Sequence, residues 1–329
     1  MKRKSLIYYC SCLLLTGLLA CKKENATPVE EPVFSTFQEM ETDLPYQYYL
    51  QAWCMNDSTG LVVGAKGAVM KTVNGGKNWV RIDSHTDFTL YDIRFMNGNV
   101  GYILGYNEEE KGIILRTGDA GNSWGIFRQF DGMKGAAISF PDAKTGYILL
   151  DEKRLLKTLD SGATWSEITV NIESANKMGF HDPLYGFITS ADGFYYETLD
   201  GGHTWNRFKE PTSEDLQQIY FQGDEVVLKS DTRLYYKSLS SNRNSDVLPI
   251  PSSGVLEFTN DGKGVAVGGR TGPNGLKPTT YVYATIDQFK TWPEKRPDAG
   301  IMTLSKLGTN KFLMIGNRSG RALIFTMEL

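Results

Sequence analysis

The chain has 329 residues, 35 basic and 38 acidic side chains, 41% apolar residues and 34 glycines. This length supports a large buried core, and the slightly acidic balance gives no broad basic surface for a nucleic-acid backbone. His85, His181 and His203 are dispersed and form no close-spaced metal motif, so neither a metal nor a cofactor is expected.

Lys2, Arg3 and Lys4 precede an apolar run from Leu6 to Ala20, too short and too close to the terminus to read first as a membrane span. It reads as a signal peptide. Leu18-Leu19-Ala20-Cys21 resembles a bacterial lipobox, which implies cleavage that leaves Cys21 as a lipid-bearing first residue, exported and anchored in the cell envelope. Removal of the segment leaves 32 basic against 38 acidic side chains and Cys54 as the one unmodified thiol, so no intramolecular disulfide is available. Residues 22–32 are polar, carry two prolines and read as a flexible tether. The expected organisation is residues 1–20 as signal, 21–32 as tether and 33–329 as one domain.

From there the chain repeats. Val33–Met40 can make an isolated strand. Leu50–Ile82, Leu90–Phe130, Ala136–Ile168, Asn176–Phe208, Leu216–Ile250 and Val255–Trp292 each contain four short apolar runs. The sixth unit also holds Gly268–Thr280, whose glycines and prolines argue for a loop. Ile301–Leu307, Lys311–Ile315 and Arg321–Thr326 give only three strands in a seventh unit. Four-strand units at a period near 40 residues indicate a radially repeated all-β structure, since each unit needs neighbours to cover its apolar faces. A three-strand last unit would expose an edge, and Val33–Met40 is the strand available to cover it. The expectation is therefore a seven-bladed β-propeller of four-stranded antiparallel blades, the last closed by the N-terminal strand. Six or eight blades are the alternatives if the fifth repeat is misread.

Each unit ends on a related stretch: KTVNGGKNW at Lys71–Trp79, RTGDAGNSW at Arg116–Trp124, KTLDSGATW at Lys157–Trp165, ETLDGGHTW at Glu197–Trp205 and ATIDQFKTW at Ala284–Trp292. A degenerate copy falls at Lys237–Ser245. The short carboxylate can accept backbone N–H bonds and hold a tight turn, and glycine permits positive φ. Asn74, Asp119, Asp160, Asp200 and Asp287 are thus expected to be turn acceptors, and Trp79, Trp124, Trp165, Trp205 and Trp292 packing staples that begin the next strand. The pattern resembles the Asp-box, or bacterial neuraminidase repeat, and Gly60–Met70 and Gly101–Leu115 more narrowly resemble propellers related to the photosystem II stability/assembly factor. Asn74 in place of aspartate and Phe289 in place of glycine suggest altered turns in the first and sixth copies.

Aligned inner strands put Trp53, Arg94, Ser139, Gly179, Tyr220, Glu257 and Ser305 in one ring. A shift of two residues gives Gln51, Asp92, Ala137, Lys177, Gln218, Val255 and Thr303. Asp92, Arg94, Lys177, Tyr220 and Glu257 form the polar constellation this register offers to a ligand at the central tunnel, with interblade salt bridges as the competing role. No catalytic residue is assigned. Resemblance to sialidases implies three arginines, a tyrosine–glutamate pair and an aspartate; Trp53 aligned with Arg94 and the missing early arginine signature argue against that set. The functional expectation is a monomeric, non-enzymatic, lipid-anchored propeller that binds a cell-envelope protein, with glycan binding or sialidase-like hydrolysis as the alternative.

Overall fold

The second strand of each repeat alternates strictly, and that alternation builds the ring. In Gly60–Gly64, Val62 enters the interface with the preceding sheet while Leu61 and Val63 enter the interface with the following one. Ile103 and its neighbours Tyr102 and Leu104 repeat the division, as do Ile148 and its neighbours Tyr147 and Leu149. Period-2 side-chain geometry thus lets one strand supply two cores. The interior consists of interblade clusters, each drawn from two adjacent sheets.

The computed structural model describes residues 34–131, 137–151, 153–240, 244–251, 254–259, 261–270, 279–287, 290–307 and 309–329. Among them are seven four-stranded antiparallel sheets, blades I to VII. Their inner strands are Tyr49–Cys54, Thr89–Phe95, Ala137–Ser139, Ala175–Phe180, Gln218–Gln222, Val255–Phe258 and Gly300–Leu307. The signal, Cys21 and the tether lie outside the described residues. So does most of the Gly268–Thr280 insertion, although its ends are strand, within Gly264–Arg270 and Thr279–Thr285.

Blade VII is closed by Gln38–Met40, paired antiparallel to Arg321–Glu328 with Gln38 opposite Thr326 and Met40 opposite Ile324. The expected strand from Val33 is shorter, because Phe34–Thr36 forms a 3-10 turn instead. That turn lets Phe37 stack on Phe325 at 5.3 Å and lets Thr36 Oγ1 donate to the Glu328 carbonyl at 2.7 Å. Arg318 Nη2 reaches Glu39 Oε2 at 2.9 Å and ties the short strand down.

The box turns have the expected chemistry. In blade III Asp160 Oδ1 accepts from Thr158 Oγ1 (2.8 Å) and Thr164 N (2.9 Å), Oδ2 accepts from Thr164 Oγ1 (2.6 Å), and Gly162 N donates to Thr158 Oγ1 (3.0 Å). Asp119 and Asp200 repeat the set, and Asp287 keeps its bonds from Thr285 and Thr291. Asn74 does not alter the first turn: its Oδ1 still accepts from Asn78 N at 2.9 Å and Thr72 Oγ1 at 3.1 Å. Phe289 falls outside the described residues. In the degenerate copy Ser240 N donates to Ser238 Oγ at 3.3 Å.

The tryptophans differ from expectation in two respects. The outer strands begin after them, at Val80, Gly125, Ser166, Asn206 and Glu294. Only Trp79 and Trp124 are buried; Trp165, Trp205 and Trp292 are half-buried, because outer strands leave the ring's crowded interior. The residue before the box glycine also needs the left-handed region, and Ala120 (φ 59°) and Ser161 (φ 61°) occupy it despite carrying a Cβ.

Candidate functional site

The five sequence-predicted site residues meet at one place. Asp92, Arg94, Lys177, Tyr220 and Glu257, from blades II, IV, V and VI, line a cavity of about 310 Å³ in the central tunnel. From the shifted ring Gln51, Ala137, Gln218 and Val255 join them, while Thr303 does not. Trp53, Ser139, Gly179 and Ser305 do not line it either: the Arg94 guanidinium lies 5.4 Å from the Trp53 ring, and Ser139 Oγ accepts from Phe180 N at 2.8 Å.

Two lining residues, Leu50 and Tyr91, escape strict alternation. The inner strands of blades I and II carry register shifts between Tyr49 and Gln51 and between Leu90 and Asp92, so Leu50 and Tyr91 fall at bulges. A bulge re-aims a side chain, here toward the tunnel. The lining lies mainly in the first half of the inner strands, toward the face on which each blade receives the chain from its predecessor. The boxes occupy the opposite face, hydrogen-bonded to the first hairpin turn of their own blade through Gly75 N to Ser58 O, Ala120 N to Asn99 O and Ser161 N to Lys144 O.

Charge in the cavity is partly paired. Arg94 Nη1 stands 3.1 Å from Asp92 Oδ1 and donates a hydrogen bond to the Ile93 carbonyl, 2.9 Å away. Asp92 Oδ1 has this close cation but no aligned hydrogen bond, although its side chain is only 3% exposed. Burial pushes the Glu257 carboxyl up to about 7, against the opposing pull of Arg94 and Lys306. Burial also raises the Tyr220 hydroxyl far above its ordinary value, reinforced by Glu257. That hydroxyl donates to the Leu256 carbonyl at 2.6 Å and lies against the Gln218 side-chain oxygen. Nearby Cys54 is held up to about 11 by burial, with Ser305 opposing and Glu257 adding to the shift.

The lining contains one arginine, and of its two tyrosines Tyr220 commits its hydroxyl to a backbone carbonyl. The three-arginine arrangement expected of a sialidase is not assembled there. Among the described residues no cluster of three or more histidine, cysteine, aspartate or glutamate side chains could hold a metal. His85 pairs with Asp83 at 3.3 Å on the surface, and His181 packs by Phe221. A larger groove, about 880 Å³, follows the closing seam past Lys77, Lys311 and Arg321. It is an open edge lined by side chains from one blade pair, whereas the tunnel cavity joins several blades.

A protein-family model described as photosynthesis system II assembly factor YCF48 matches residues 34–130. The photosystem II stability/assembly factor HCF136 of Oryza sativa subsp. japonica is 34% identical over 76 residues, 22% of this chain and 15% of that protein. Its namesake from Guillardia theta is 36% identical over 69 residues, 20% and 16% of the respective chains, so the matched stretches span a small part of these curated relatives. Among solved structures, YCF48 bound to D1 peptide superposes with a TM-score of 0.67 at 18% identity, covering 89% of this chain and 97% of that one. YCF48 from Cyanidioschyzon merolae gives 0.66 at 15%, covering 89% and 98%. The Niastella koreensis GH74 enzyme gives 0.64 at 13%, covering 88% and 53%. At these identities the structures speak for fold. The chain is a seven-bladed Asp-box propeller that resembles the YCF48/HCF136 photosystem II assembly factor family.

Proposed function

We propose that the protein is an exported, lipid-anchored, non-enzymatic propeller whose tunnel face binds a segment of a cell-envelope protein. The observation that carries this reading is the cavity itself: charged residues from several blades converge there, with a single arginine and with the Tyr220 hydroxyl bonded to a backbone carbonyl. The YCF48 propeller whose structure contains D1 peptide supports a protein segment over a glycan. Cys21 is the proposed lipid attachment, residues 1–20 the signal and 22–32 the tether to the domain that follows.

A photo-reactive group placed at Gln51 in the full chain, irradiated in membranes of the source cell, tests the binding face. One discrete cross-linked protein, lost on Lys177→Glu, is the expected result. Cross-links indifferent to Lys177→Glu, or turnover of an aryl sialoside, overturn the reading. Retention of Cys21→Ser in the membrane fraction refutes the anchor alone.

A further inference from the structure

Asp92 is the most demanding residue in the tunnel. Its side chain is almost wholly buried, its Oδ1 receives no aligned hydrogen bond, and the same side chain lines the cavity. Arg94 supplies charge at 3.1 Å without an aligned N–H, donates from the same nitrogen to the Ile93 carbonyl and lies near the Trp53 ring. A buried carboxylate oxygen in this state lacks a donor, and a ligand N–H is the group that completes it. Two blades away, Lys177 enters the same cavity; among the described residues its hydrogen bonds run through its backbone, N–H to Thr189 Oγ1 at 3.1 Å and carbonyl from Thr189 Oγ1 at 3.4 Å. Ala137 stands on the intervening blade, a small side chain that leaves room between the carboxylate and the ammonium. Ile138, Met178 and Ile219 give the remaining wall an apolar character.

These residues make a dipolar receptor with an apolar wall. From their placement we infer that the tunnel cavity binds an α-ammonium acyl group, in which a primary ammonium meets Asp92 and the oxygen a few bonds away meets Lys177. Its volume, about 310 Å³, suits one or two small residues. The inference rests on the reading of the tunnel as a binding face and narrows its ligand. The same chemistry belongs to a free dipeptide and to the amino terminus of a polypeptide.

Calorimetric titration of the detergent-solubilised full chain separates these cases, using alanyl-leucine, alanyl-leucine amide and N-acetyl-alanyl-leucine. The two free amines are expected to bind, and acetylation to weaken binding by roughly tenfold or more, the scale of one hydrogen bond to a charged group. Asp92→Asn should abolish that discrimination, and Lys177→Met should weaken both free amines while leaving the preference for an ammonium. Equal binding of alanyl-leucine and its amide identifies a polypeptide amino terminus as the source; tenfold preference for the free carboxylate identifies a small zwitterion. Binding of the acetylated peptide as strongly as the amines, or of none of the three, overturns the inference. Discrimination by the wild-type chain decides the matter even if Asp92→Asn does not fold. Partner cross-linking that persists without dipeptide discrimination removes this ligand class and leaves the broader protein-binding reading intact; dipeptide discrimination without any cross-linked partner does the reverse.

Discussion

Removing one member of the Lys237–Glu197 pair should destabilise the ring far more than removing both. Lys237 of blade V extends to Glu197 of blade IV, with Nζ 2.5 Å from Oε2 and side-chain exposures of only 20% and 11%. Tyr185 donates to the other carboxylate oxygen at 2.6 Å, and the ammonium lies 4.8–5.6 Å from the rings of Phe208, Tyr195 and Phe187. Stripping one partner from a buried pair costs about 3–5 kcal/mol, whereas replacing both with apolar groups is often neutral. Residual solvent access reduces the single-variant cost to about 2–3 kcal/mol, a fall in Tm of about 4–6 °C for a domain of this size. Glu197→Met and Lys237→Met should each show this fall by calorimetry, and the double variant should recover most of it. Two single effects that simply add in the double variant would refute the argument, since they would show that the charges do not depend on one another.

Further outcomes follow from the tunnel, the boxes and the seam. Glu257 has a folded-state pKa raised from 4.5 to about 7, so its burial lowers stability as pH rises through that interval. Glu257→Gln should therefore gain Tm relative to wild type between about pH 5 and pH 8, measured by thermal scans; a pH-independent difference would contradict the burial account. Asp119 and Asp160 are held down to about 2 by hydrogen bonds from Ser123 and Thr164, and Asp200 reaches about 2 through Thr204 and Thr198 despite burial. Their contribution is present above the ordinary carboxylate range and is lost as pH falls toward 2, so Asp119→Asn combined with Asp160→Asn should flatten the acid limb of a Tm–pH curve. Deleting residues 33–40 should produce aggregation in light scattering, because the Arg321–Glu328 edge is uncovered; shortening 22–32 should leave the domain's Tm unchanged.

Much of the ring could be read from the chain because the box is a local device. Threonine, a short acceptor and glycine specify a turn within nine residues, and the turn survives Asn74 because an amide oxygen accepts the same bonds. The tunnel constellation was legible for a similar reason: equivalent strands place equivalent residues around one axis. Leu50 and Tyr91 were missed because a bulge breaks period-2 counting without changing residue type. A second repeated turn also went unread. Asn56, Asn97, Asp142 and Asp182 each accept N–H bonds from residues two and three positions on, at the first hairpin of blades I to IV. Its signal was an Asn or Asp followed four positions later by glycine, at Gly60, Gly101, Gly146 and Gly186. At Gly186 a Cβ would stand 2.5 Å from the Phe180 ring, which explains why that position takes glycine.

Interblade contacts were the least predictable layer, because they join residues about forty positions apart. The residue before the box threonine reaches into the next blade's box turn: Lys71 Nζ donates to the Ala120 carbonyl at 2.7 Å, and Lys157 Nζ to the Gly201 carbonyl at 2.9 Å. Tyr147 adds a bond to the Pro183 carbonyl at 2.6 Å. In blade IV the same position is Glu197, and its salt bridge with Lys237 replaces the carbonyl bond.

The closing seam gives the ring a direction in which it can be opened by force. Blades I to VI each draw four successive strands from the chain, but blade VII borrows its outermost one across the whole length of the domain. A pull on the segment before Phe34 is delivered to the three rungs from Gln38 to Met40, reinforced by Arg318 and Thr36, before it reaches any other sheet. Mechanical load would detach this strip first and expose the Arg321–Glu328 edge, while traction at an interior loop would be shared by flanking blades. The seam is the circuit's release point, and its strength sets the tension the ring can bear from that end.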